Sequence, residues 1–163
     1  MRIFKKIQKT AFGVLFTLVF CFSQNANAQN MDVSKFDARG AVCLQNFVNS
    51  LLEPDFDAAA TKAMEQIHRS DFTKDGAGLK SDRMQFSFKK AWQNVKFYQN
   101  PIKITRVQKT NLSGIGFQQT AQQGTSYKVW IGKKKGVSGM PAPIYVFFPN
   151  DGSEPKVHDY GSL

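Results

Sequence analysis

The chain has 163 residues, 42% of them hydrophobic, and its 22 Lys and Arg against 12 Asp and Glu give a formal net charge of +10. That length fits one domain, and two histidines with two cysteines exclude a clustered Cys/His metal site. The positive balance suits either a solvated basic surface or contact with an anionic partner such as lipid headgroups, polysaccharide or nucleic acid.

Residues 1–28 read as an export signal. Arg2, Lys5, Lys6 and Lys9 precede an apolar run of 12 residues, 11–22. Ala26-Asn27-Ala28 then places small residues where signal peptidase reads. The run falls short of the roughly 20 apolar residues that cross a bilayer, so cleavage after Ala28 is expected rather than a retained membrane helix. Phe20 before Cys21 departs from a lipoprotein signal, which needs a small residue there, and no twin-arginine pair occurs. The expected product is a periplasmic or secreted protein of residues 29–163, not an integral membrane protein. It keeps 18 basic residues against 12 acidic ones and a single cysteine, Cys43. An internal disulfide is then impossible, and the apolar neighbours of Cys43 on a helix mark it as a buried, inert thiol.

Three helical segments follow a loose lead-in over 29–33. Ser34 is the expected cap of the first, with Asp37 near its positive end and Ala41, Leu44, Val48, Leu51 and Leu52 at helical spacing. Pro54 separates it from a second stripe, Phe56, Ala60, Ala63, Met64 and Ile67, for which His68 reads as a C-terminal cap. After the break at 75–78, Ser81 caps a third helix. Its stripe of Met84, Phe88, Ala91, Val95 and Tyr98, with Trp92 alongside, is the clearest in the chain. Phe86 and Phe97 fall off that stripe and are expected to widen the buried face. Asn100-Pro101 ends the helix.

Five strands are expected after it, at 102–105, 114–117, 126–131, 144–148 and 156–160. Alternation puts Tyr127, Val129 and Ile131 on one face and Lys128 and Trp130 on the other. Ile144, Val146 and Phe148 share a face, with Tyr145 and Phe147 opposite. A strand apolar on both faces is covered on both, and helices cover only one of them. The fold class is therefore α+β, three N-terminal helices packed on a curved antiparallel sheet of 4–5 strands, with no internal repeat or linker.

The stretch Leu51-Leu-Glu-Pro-Asp-Phe-Asp-Ala-Ala-Ala60, with its acidic turn before an alanine-rich run, resembles the first helix break of the nuclear transport factor 2-like (cystatin-like) cone superfamily. Segments 124–131, 144–148 and 156–163 resemble its closing strands. The resemblance implies a cone whose concave face and helices enclose a pocket, here with Phe88, Trp92, Tyr127, Val129 and Phe148 as candidate lining. It also implies dimerisation through the outer sheet face. The superfamily hosts isomerases, carriers and scaffolds, so the fold alone assigns no activity. The ending 156–163 is also similar to exported phospholipid carriers.

The expected function is accordingly that of an exported, non-enzymatic binding or assembly module. A small cone-fold isomerase or hydrolase and a lipid carrier are the alternatives. For the enzyme, Asp159 is the candidate acid or base: two residues after Val157, it should share that residue's inward face, leaving His158 and Tyr160 outward. Lys133, Lys134 and Lys135 are candidate anion contacts, or simply a solvated loop tip. Trp130, Tyr145 and Phe147 are the candidate face of a homodimer. The expected ligand is small and apolar or anionic. No cofactor or metal is expected, nucleic acid is not an expected partner, and Gly114-Ile-Gly116 lacks the rest of a dinucleotide fingerprint.

Overall fold

The computed structural model describes residues 29–116 and 121–163; the expected export signal and Phe117 of the second expected strand lie outside the described residues. The lead-in is not loose throughout, because Asn30–Met31 forms a short edge strand, β1. Asp37, not Ser34, caps α1 (Ala38–Leu51), its carboxylate accepting the Arg39 amide at 2.8 Å. Ser34 lies in an earlier 3-10 turn, and extended backbone at Phe36 separates that turn from the helix. The separation aims the Phe36 ring at Tyr127 and Phe148, each at a centroid distance of 5.8 Å.

Asp55 caps α2 (Phe56–Ala63) by accepting the Ala58 amide at 2.8 Å. Ala59, Ala60 and Ala63 are buried, and such small side chains let α2 lie close against its neighbours. The helix stops before Ile67, so His68 does not cap it. Sheet pairing takes over instead: Ile67 bridges Val157 in parallel, the His68 amide donates to the Val157 carbonyl, and the Val157 amide donates to that of Gln66, both at 2.7 Å.

The third helical segment is irregular. A π turn (Arg83–Phe88) runs into α3 (Lys89–Asn94) and a 3-10 turn (Val95–Phe97). Phe88, Ala91, Val95 and Tyr98 are buried as expected, with Met84 and Trp92 half-buried. Phe86 and Phe97 do not widen that face. Both are exposed, because residues two apart on a helical turn point to nearly opposite sides and Phe88 already fills the inner position.

Among the described residues the sheet is antiparallel and six-stranded. The remaining strands are β2 (Ile104–Lys109), β3 (Gly114–Ile115), β4 (Gln122–Ile131), β5 (Pro143–Pro149) and β6 (Lys156–Asp159). Their order is β1-β2-β4-β5-β6, with β3 paired to the start of β4. Val107, Val129, Ile131, Ile144, Val146 and Val157 are fully buried in the core that the sheet shares with the helices. Rings pack tilted or edge-on through that core: Tyr160 lies 5.2 Å from Phe47 and 6.3 Å from Phe88, and Phe88 lies 5.7 Å from Phe56. Among the described residues no helix is long and apolar enough to cross a membrane.

Candidate functional site

The face of the sheet turned away from the core is built by alternation. Register pairs Arg106 with Trp130, Lys128 with Tyr145 and Ser126 with Phe147. These side chains are not three bare aromatics. The Arg106 guanidinium sits 4.5 Å from the centroid of the Trp130 ring, and Lys128 Nζ lies 5.3 Å from Trp130 and 5.5 Å from Tyr145. Trp130 and Tyr145 are thus half-buried under cations. Phe147 does not project to water as expected: it is fully buried, because His68 packs against its ring at 5.5 Å and His158 at 6.3 Å.

One inserted residue rearranges β6. Val146 pairs with Val157 but Tyr145 pairs with Asp159, so His158 is the extra residue of a β-bulge. The insertion shifts the alternation that would have set Asp159 beside Val157 on the inner face. Asp159 instead pairs with Tyr145, His158 meets the Tyr145 ring edge-on at 5.6 Å, and Tyr160 turns into the core, not outward. Asp159 is therefore not an inward carboxylate of the helical core.

The bulge brings His158 toward the segment that follows α2. Its Nε2 lies 2.8 Å from Ser126 Oγ. Burial, reinforced by the positive charge of Arg83 and by the competing imidazole of His68, pushes its pKa down to about 4. His68 opens the 3-10 turn Arg69–Asp71, its Nδ1 accepting the Ser70 amide at 3.1 Å. Nε2 then carries the proton and donates to Gln122 Oε1 at 3.0 Å, while Gln122 Nε2 donates to Asp151 Oδ2 at 2.8 Å. This neutral tautomer matches a pKa lowered chiefly by burial.

Asp71 is the charged member of the group. It is 3% exposed, its Oδ1 meets Arg83 Nε at 3.2 Å, and its Oδ2 has no hydrogen-bond partner among the described residues. Burial raises its pKa to about 6 against the opposing pull of Arg83 and Lys80. The buried Tyr160 hydroxyl lies close enough to Asp71 for the carboxylate to raise its pKa, behind a larger effect of burial, yet forms no hydrogen bond of ordinary geometry. A carboxyl held near neutrality beside a phenol and a guanidinium can exchange protons or hold a polar ligand.

An open pocket of about 820 Å³ lies over this group. Arg69, Lys74, Lys80 and Arg83 contribute cations to its lining, His68 and Gln122 contribute neutral polar groups, and Asp71 is the acid among them. No group of three His, Cys, Asp or Glu among the described residues is placed to hold a metal ion.

The residues expected to line a cone pocket lie elsewhere. Phe88 and Val129 are fully buried among core side chains. Trp92 packs on Phe56 at 5.4 Å and donates from Nε1 to the Glu53 carbonyl at 2.8 Å, while Tyr127 and Phe148 close over Phe36. That side of the sheet is filled by the helices, which is why these positions form packing and not a wall. None of Lys133, Lys134 and Lys135 lines the His68 pocket. Lys133 donates to the Ser138 carbonyl at 3.0 Å, and its two neighbours are exposed. Cys43 is buried as expected, with burial pushing its thiol up to about 11.

Asp71, Arg83 and Gln122 carry no motif, since nothing in their spacing along the chain brings them together. The one available signal was His68 between an apolar residue and the Ser70-Asp71 turn. No family model matches this chain, and no curated protein or solved structure matches it either.

Proposed function

We propose that the protein is an exported binding module that holds a small anionic ligand in the pocket beside His68, Asp71 and Arg83. The observation that carries this reading is the charge of the lining: four cations surround one carboxylate, and that carboxylate is already paired with Arg83. A small anion entering there replaces water around Lys74 and Lys80 and completes the pairing of Arg83, as in charge-assisted recognition of carboxylates and phosphates. The cone-type architecture of the nuclear transport factor 2-like superfamily fits an α+β chain with helices packed on one face of an antiparallel sheet. Export with cleavage after Ala28 belongs to the same reading, and intact mass of the protein recovered from the periplasm or medium should begin at Gln29.

Calorimetric titration with small carboxylates and phosphates tests the pocket. Arg83→Ala should weaken binding about tenfold or more, the ordinary loss for a charged hydrogen bond. Lys80→Ala should weaken it less. Absence of binding by every carboxylate and phosphate tried would overturn the reading.

One observation favours an enzyme as the second reading. Asp71 combines burial, a pKa raised to about 6 and a place in the pocket, which suits a general acid or base better than Asp159 does. Asp71→Asn separates the two: turnover with substrate lost while anion binding survives identifies the enzyme.

A further inference from the structure

The outward side of the third helical segment and the loop after β4 form a surface of their own. Phe86 is 71% exposed, Phe97 40% and Met140 89%, and Phe97 and Met140 line one depression. The loop is tied down beside Phe97. The Lys134 amide donates to the Phe97 carbonyl at 2.9 Å, and Gln99 Nε2 donates to the Lys133 carbonyl at 2.9 Å. Gly136 and Gly139, at φ of +85° and +84°, turn the loop tip in a conformation that other residues resist. Together Lys90, Phe97, Tyr98, Lys133, Val137 and Met140 line an open depression of about 440 Å³ with no Asp or Glu in its lining. Lys96 Nζ lies 5.3 Å from the Phe97 ring, and Lys134 and Lys135 are exposed at the loop tip.

We propose that this end of the molecule docks on an anionic lipid surface, with Met140 and Phe97 entering the headgroup boundary while the surrounding lysines meet lipid phosphates. Charge decides the occupant. A second copy brought to the same patch would oppose lysine to lysine, with no Asp or Glu in the lining to relieve the repulsion. An anionic membrane supplies both the counter-charge and an apolar layer for exposed side chains, the combination that amphipathic interfacial surfaces use. The pocket beside His68 lies on other residues, so the two proposals stand independently.

Vesicle co-sedimentation tests this with protein beginning at Gln29, which holds every described element and lacks the apolar run 11–22. The protein should bind vesicles of mixed phosphatidylglycerol and phosphatidylcholine and not phosphatidylcholine alone. Rising salt should release it, and inorganic phosphate at constant ionic strength should not compete. Lys134→Ala with Lys135→Ala should lower the partition coefficient about 30-fold, from the worth of a basic residue near an anionic surface. Met140→Asp should lower it about tenfold more. These positions are exposed, and unchanged circular dichroism verifies that each variant folds. Equal binding to both vesicle types, no binding to the anionic ones, displacement by phosphate, or double-variant binding equal to that of the unaltered protein would each overturn the proposal.

Discussion

Arg83 Nε meets Asp71 Oδ1 at 3.2 Å, and the other Asp71 oxygen, though buried, has no hydrogen-bond partner among the described residues. A single contact does not repay the burial of this carboxylate, which is why its pKa rises to about 6 while Arg83 and Lys80 pull it down and Asp82 and Asp159 push it up.

Buried Asp71 and half-buried His158 give stability opposite dependences on pH. Asp71 has a folded pKa above its ordinary 3.8, so the folded state takes up its proton first and gains stability as pH falls through about 6. Linkage makes this gain about 1 kcal/mol between neutrality and a pH one unit below that value. His158 has a folded pKa depressed from 6.5 to about 4, so it loses stability over the same interval, by at most roughly 2 kcal/mol. Urea melts should find Asp71→Asn more sensitive to mild acid than the unaltered protein, and His158→Asn less sensitive. A reversed order would mean that the two groups are ionised otherwise.

Phe147→Glu should unfold the protein rather than expose a dimer face. The ring is fully buried beneath two imidazoles, and an unpaired buried charge costs several kcal/mol. The dimer expected through this face is tested better at Trp130. With Arg106 and Lys128 lying over that ring, two copies meeting there would set like charges together. Sedimentation at micromolar concentration and low salt should give a monomer. A dimer that Trp130→Glu dissociates would restore the two-fold face.

Gly124→Ala should cost about 1–3 kcal/mol, the usual penalty of overpacking. A Cβ there would press on the Phe148 carbonyl and fall 2.5 Å from Phe147 Cζ. The carbonyl cannot retreat without opening the ladder between β4 and β5. Thermal melts check this, and an unchanged midpoint would mean that Phe147 moves freely.

Cys43 should not react with a maleimide in the folded protein. Its thiol is buried and held as the neutral acid by a pKa of about 11. Labelling should track unfolding in denaturant, and fast labelling of native protein would place the thiol at a surface.

The inward sets were legible in the chain alone: Phe88, Ala91, Val95 and Tyr98 on the third helical segment, Val129 and Ile131 on β4, Ile144 and Val146 on β5. All are buried, because the period of a helix or strand follows from local backbone geometry, which a short stretch carries within itself. Helix starts were legible to within a few residues, as Asp37 in place of Ser34 illustrates, since several polar side chains compete for the same orphan amides. The site was not legible. His68 meets Gln122 across 54 residues and Ser126 meets His158 across 32, contacts that exist only once the strands have paired. Tertiary structure also decided which carboxylate matters. One extra residue at His158 reversed the alternation of β6, sent Tyr160 into the core and Asp159 opposite Tyr145, and left Asp71 as the buried acid. A bulge is set by the neighbouring strand that must accommodate it, and period-2 reading along a single strand carries no record of that neighbour.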